Sequence, residues 1–115
     1  MVTVAAFRKL AMAVEGAVEA PHFDLRSFRL DGKIFATLSE TDARAMIKLT
    51  PEQQEMLTAA EPGVFQRIPN AWGDKGATWM HLKQVDAKTA QSALQLSVGN
   101  LAKPKRASKP RKRWP

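Results

Sequence analysis

A single dipeptide, Asp31-Gly32, separates two runs rich in Phe, Ile, Leu and Thr, residues 25–30 and 33–38, and obliges the chain to turn back on itself there. A type I′ turn needs positive φ at both central residues, which Gly adopts freely and Asp tolerates, and its twist matches that of paired strands. A β-hairpin follows. Strict alternation would put Phe28, Leu30, Ile34, Ala36 and Leu38 on a shared core face, with Arg29 and Lys33 outside and Phe35 on the opposite side.

The neighbouring segments supply the rest of a domain. Val4, Phe7, Leu10, Ala11 and Val14 recur at helical steps, so residues 3–15 predict a helix capped by Thr3 and stopped at Gly16. Residues 43–49 alternate as a strand with Ala45, Ile47 and Leu49 inward. Thr50-Pro51-Glu52-Gln53 is a helix start: Thr caps, Pro fits the first helical position and Gln completes a capping box. That helix should end near Ala60. Residues 64–68 form a short apolar segment, and Trp72-Gly73-Asp74-Lys75-Gly76 predicts a turn with two residues able to take positive φ. Residues 78–82 predict a further strand. Asp86 caps a last helix carrying Ala90, Ala93, Leu94, Val98 and Leu101, which Pro104 should end. The fold class is α+β, with helices covering a twisted antiparallel sheet.

Charge divides the chain differently. Residues 1–102 hold eleven Lys/Arg and eleven Asp/Glu, so the net +7 of the 115 residues resides in residues 103–115. A neutral body of that length can bury a core without disulfide or metal. The tail, with Pro104, Pro110 and Pro115 and little that is apolar except Trp114, is expected to be disordered. The chain contains no cysteine, which suits a reducing cytoplasm and excludes a thiolate nucleophile or a Cys-ligated metal. No stretch has the pattern of a signal peptide or of a membrane span, and a cytoplasmic location is expected.

Residues 21–38, Pro-His-Phe-Asp-Leu-Arg-Ser-Phe-Arg-Leu-Asp-Gly-Lys-Ile-Phe-Ala-Thr-Leu, resemble the signature stretch of the YjbR/MmcQ family. Three further pieces agree in order: Ile47-Lys-Leu-Thr-Pro-Glu-Gln-Gln54, Trp72-Gly-Asp-Lys-Gly76 followed by Thr78-Trp79, and Val85-Asp86. The resemblance covers nearly all of the body and stops near Arg106. It implies a frataxin-like or "double-wing" sheet-and-helix fold and the DNA-binding label common in the family, with no shared reaction. The last helix of such proteins often carries Ala-Trp where this chain has Ser97-Val98.

Chemistry is sparse. His22 and His81 lack the spacing of a helical metal site, and Ser27 and Ser39 have no base or nucleophile elbow beside them. Glu15 and Glu19 are too few for an oxygen-ligand iron site, and Gly63, Gly73 and Gly76 make no phosphate-binding loop. No enzymatic activity, metal or cofactor is expected. The tail cations Lys103, Lys105, Arg106, Lys109, Arg111, Lys112 and Arg113 are the first candidates for phosphate contact, with DNA as the expected partner. Pro110 to Pro115 resembles an AT-hook, but Lys112 occupies the glycine position, so sequence-blind contact is the expectation. Arg26, Arg29, Lys33, Trp72 and Lys75, on or beside the strands, are secondary candidates for a basic, aromatic sheet face, with Trp72 the aromatic expected to be most exposed. The alternative is a protein-interaction or small-ligand module whose tail only confers solubility. No membrane role is expected, since no amphipathic apolar face accompanies the basic run.

Overall fold

The computed structural model describes residues 1–22 and 25–106, the last five of these by their backbone alone. The elements run α1 (Val4–Met12), β1 (Val18–His22), β2 (Leu25–Leu30), β3 (Lys33–Ser39), β4 (Arg44–Lys48), α2 (Pro51–Ala60), β5 (Phe65–Arg67), α3 (Ala71–Asp74), β6 (Ala77–His81) and α4 (Ala87–Arg106). All six strands join one sheet in the order β1-β2-β3-β4-β6-β5, and each neighbouring pair is antiparallel. The fold is α+β, as the order of elements in the sequence implies.

Local chemistry accounts for most boundaries. Asp31 and Gly32 take φ of 54° and 79°, as a type I′ turn requires. Thr3 Oγ1 accepts from the Ala6 N–H at 3.0 Å and caps α1. Thr50 and Gln53 form a reciprocal capping box, Gln53 N–H to Thr50 Oγ1 at 3.1 Å and Thr50 N–H to Gln53 Oε1 at 3.0 Å. Asp86 Oδ1 accepts from the Thr89 N–H at 2.7 Å, and this bond to the ionised form holds the Asp86 carboxyl below the usual Asp value.

Phe7, Phe28, Phe35, Leu38, Ile47, Met80 and Leu94 form the centre of the core, each at most 2% exposed. Three helices close over the same sheet face. Phe7 of α1 meets Phe28 edge-on at 5.9 Å. From α2, the buried Gln54 Nε2 lies 3.0 Å from Gly73 O, 3.0 Å from Ala77 O and 3.1 Å from Thr78 Oγ1. From α4, the fully buried Ser97 reaches β3.

Three expectations are corrected, and one strand appears that the sequence reading did not mark. Phe35 is a core residue, because the β2–β3 register slips between Phe28, opposite Ala36, and Arg29, opposite Ile34. The resulting bulge leaves Phe35 without a partner on β2 and breaks the alternation, so Phe35 and Ala36 are both buried in the core. Residues 18–22 form an edge strand despite Pro21 and Glu19; an edge position tolerates a proline, because only one side of the strand donates to the sheet. Residues 71–74 make a short helix capped by Asn70, and its Gly73 is required by close packing rather than positive φ: a Cβ there would lie 1.6 Å from Ile68 O. Finally, α4 continues past Pro104 to Arg106, since the ring removes one backbone donor while its fixed φ remains helical. The remainder of the expected disorder, residues 107–115, lies outside the described residues.

The bulge is repaired from a distance. After Ala36↔Ile47, the next β3–β4 pair would be Phe35 and Lys48, and the Ser97 hydroxyl stands between them. Ser97 Oγ donates to Phe35 O at 2.6 Å and accepts from the Lys48 N–H at 3.2 Å. Ser97→Ala leaves both backbone groups without that partner and should lower unfolding stability by about 1–3 kcal/mol, read from urea denaturation. The Asp86 cap has its own pH signature. Its contribution is complete above the ordinary Asp range and is lost as pH falls through the lowered value, so Asp86→Asn should flatten the acid dependence of the urea midpoint.

Candidate nucleic-acid interface

Among the described residues no helix lies across the opposite face of the sheet. Register places Ser27, Thr37, Met46, Trp79 and Gln66 in one row across five strands on that side. Ser27 Oγ donates to Ala20 O at 2.9 Å and accepts from Arg29 Nε at 3.2 Å, so the polar end of the row is internally satisfied. Its other end is apolar. Leu25, Thr37, Met46, Ile68, Trp72 and Trp79 help to line an open groove of about 270 Å³. Trp72, on α3, is 65% exposed. Asn70 Oδ1 accepts from the N–H groups of Trp72 and Gly73 at 2.9 and 3.2 Å, which fixes the backbone that carries this indole. The Arg44 guanidinium lies 3.8 Å over the Trp79 ring, a cation–π contact, and 3.8 Å from Asp42 Oδ2.

The cations are grouped by topology. The hairpin tip with Lys33, the β2 end with Arg29, the β4 end with Lys48 and the β6 start preceded by Lys75 all lie at one end of the sheet. The end of α4 comes to the same place, since Asn100 Nδ2 donates to Lys48 O at 3.2 Å and to Gln53 Oε1 at 2.8 Å. Leu49 N–H donates to Gly76 O at 3.2 Å, joining α3 to this group. The basic tail therefore leaves the body beside Lys48 and near the α3 helix that carries Trp72 and precedes Lys75. Lys103, Lys105 and Arg106 occupy the last turn of α4, while Lys109, Arg111, Lys112 and Arg113 lie outside the described residues.

Arg26 stands apart from this set. It sits on the helix-covered side, where Glu19 Oε2 is 3.4 Å from Arg26 Nε and Glu19 Oε1 is 2.8 Å from Arg8 Nε. Arg67 is paired with Asp74. Two residues of the open face, Met46 and Arg44, are not singled out for it by the sequence reading. Their alternation with the core residues Ala45 and Ile47 is the available signal. His81, on the same face, has Nε2 2.9 Å from Gln66 Oε1. Among the described residues no group of three or more His, Asp or Glu could hold a metal ion, and no helix is long and apolar enough to cross a membrane.

The YjbR family model matches residues 12–97, three quarters of the chain and the whole sheet. The chain belongs to the YjbR family. Its fold is shared with the crystal structure of a Deinococcus radiodurans protein carrying the DUF419 domain, at a TM-score of 0.70 and 19% identity over 96% of this chain and 84% of that one. No curated protein matches the sequence. In this YjbR protein the Trp-Gly-Asp-Lys-Gly segment has largely structural duties: Gly73 packs on Ile68 O, and Gly76, at φ 113°, leaves no room for a side chain beside Leu49 O. Trp72, Asp74 and Lys75 are the exposed members of the motif, and of these Asp74 is paired with Arg67. At the Ser97-Val98 departure, the serine bridges the bulge and Val98 packs against the core.

Proposed function

We propose that this protein binds nucleic acid, DNA in the first instance, without strong sequence preference and without a reaction of its own. The observation that carries the reading is the charge distribution: the whole excess of +7 lies in residues 103–115, which leave the body at the end already bearing Arg29, Lys33, Lys48 and Lys75. Cations at a helix C-terminus also favour the helix dipole, which gives Lys103, Lys105 and Arg106 a local role. That role does not extend to Lys109, Arg111, Lys112 and Arg113. Seven cations on phosphate give a log–log salt slope of about −6 on duplex DNA, enough for non-specific affinity by counterion release. Exchange of all seven for Gln in the full-length chain, or truncation after Ala102, should abolish most salt-sensitive DNA binding in a salt titration. Equal binding by altered and native chains at low salt would refute the tail's role.

A second reading, a small-ligand or protein-binding module with a solubilising tail, is favoured by the apolar lining of the groove. It differs in outcome: its ligand affinity would be unaffected by the loss of the tail cations.

A further inference from the structure

We infer that the open groove receives unstacked bases of a single strand, so that this protein prefers single-stranded nucleic acid to duplex. The inference rests on the nucleic-acid reading and names the substrate form that the sheet face selects. A phosphate-binding tail responds to charge density, which is greater on duplex, and reads no base plane; a groove floored by Met46 and Trp79, with Trp72 at its margin, can take an unpaired base. Duplex DNA hides its base planes in the stack, and only an unpaired strand can lay them on an indole.

Three features favour this occupant. Trp72 is 65% exposed while its backbone is pinned by Asn70 and by the close packing of Gly73 on Ile68 O, so an accessible indole is carried on a fixed main chain at the groove's margin. The groove starts at Trp72 and Ala77, beside the cationic end, and runs toward His22 and Leu25. A strand held there by Lys48 and Lys75 would have its bases over the groove and its phosphates on the cations. Beside the groove, the Arg44 guanidinium lies over the Trp79 ring and adds a cation next to the floor.

The test uses the full-length chain with Trp114→Phe as background, so that emission reports Trp72 and Trp79 in the company of no tail indole. Oligothymidylate should quench that emission, and a duplex of equal length should not. Trp72→Ala should weaken oligothymidylate binding by about 5- to 150-fold, the loss of about one stacked base, with duplex binding and the thermal unfolding midpoint unchanged. Trp79→Phe, which keeps a ring in the floor, should give a smaller loss. Equal affinity of Trp72→Ala and background protein for oligothymidylate, or equal quenching by duplex, overturns the inference while leaving the tail reading intact. Absence of binding to either form at low salt overturns both. Self-association of the free protein that Trp72→Ala abolishes would assign the groove to a second copy, and so overturn the inference as well.

Discussion

The Ser97 hydroxyl is the contact on which the two-sided character of the sheet depends. It stands between Phe35 O and the Lys48 N–H, two backbone groups that a regular β3–β4 ladder would pair directly. Buried backbone groups must be satisfied, and here α4 delivers the hydroxyl that satisfies both. The bulge in turn puts Phe35 and Ala36 together in the core, where Phe35 meets Phe28 at 6.5 Å. Asn100, close behind on the same helix, holds the β4 end to the start of α2. This helix thus packs with α1 and α2 over the core face and comes beside the β4 end at Lys48.

From that arrangement follows a division of labour between the two sheet faces. The helix-covered face is closed by Phe7, Gln54 and Ser97 from three helices, and even its peripheral charges, Arg8, Glu19 and Arg26, are paired with one another. The other face keeps Trp72 and Trp79 at the surface, with Arg44 stacked on the second. An exposed indole beside a half-buried one, bordered by cations, is the character expected of the binding surface proposed above.

What the sequence disclosed was the chemistry of neighbours. The Asp31-Gly32 turn, the Thr50–Gln53 capping box and the Asp86 cap each depend on residues within three positions of one another, and each forms as read. What it concealed was set by distant partners. The bulge at Phe35 is invisible to a two-residue period because its hydroxyl comes from 62 residues away. Gly73 reads as a turn residue, whereas its duty is contact with Ile68 O across a fold in the chain. Arg26 and Arg29 fall on opposite faces, as a two-residue period dictates, but the partnership of Arg26 with Glu19 of β1 depends on a strand pairing that the sequence does not display. The gathering of Arg29, Lys33, Lys48 and Lys75 at one end required the placement of β6 beside β4, a long-range pairing that no local pattern encodes.

The central claim is that the uncovered sheet face, and not the helical side, meets the partner. Amide and indole chemical shifts of the 15N-labelled full-length chain, followed during titration with a short single-stranded oligonucleotide at low salt, test it residue by residue. The account predicts movement of the Trp72 and Trp79 indole N–H signals and of the β4 and β6 amides around Met46 and Ala77. Movement confined to the tail, or to α1 and α4 around Arg8, Lys9 and Lys88, would contradict it.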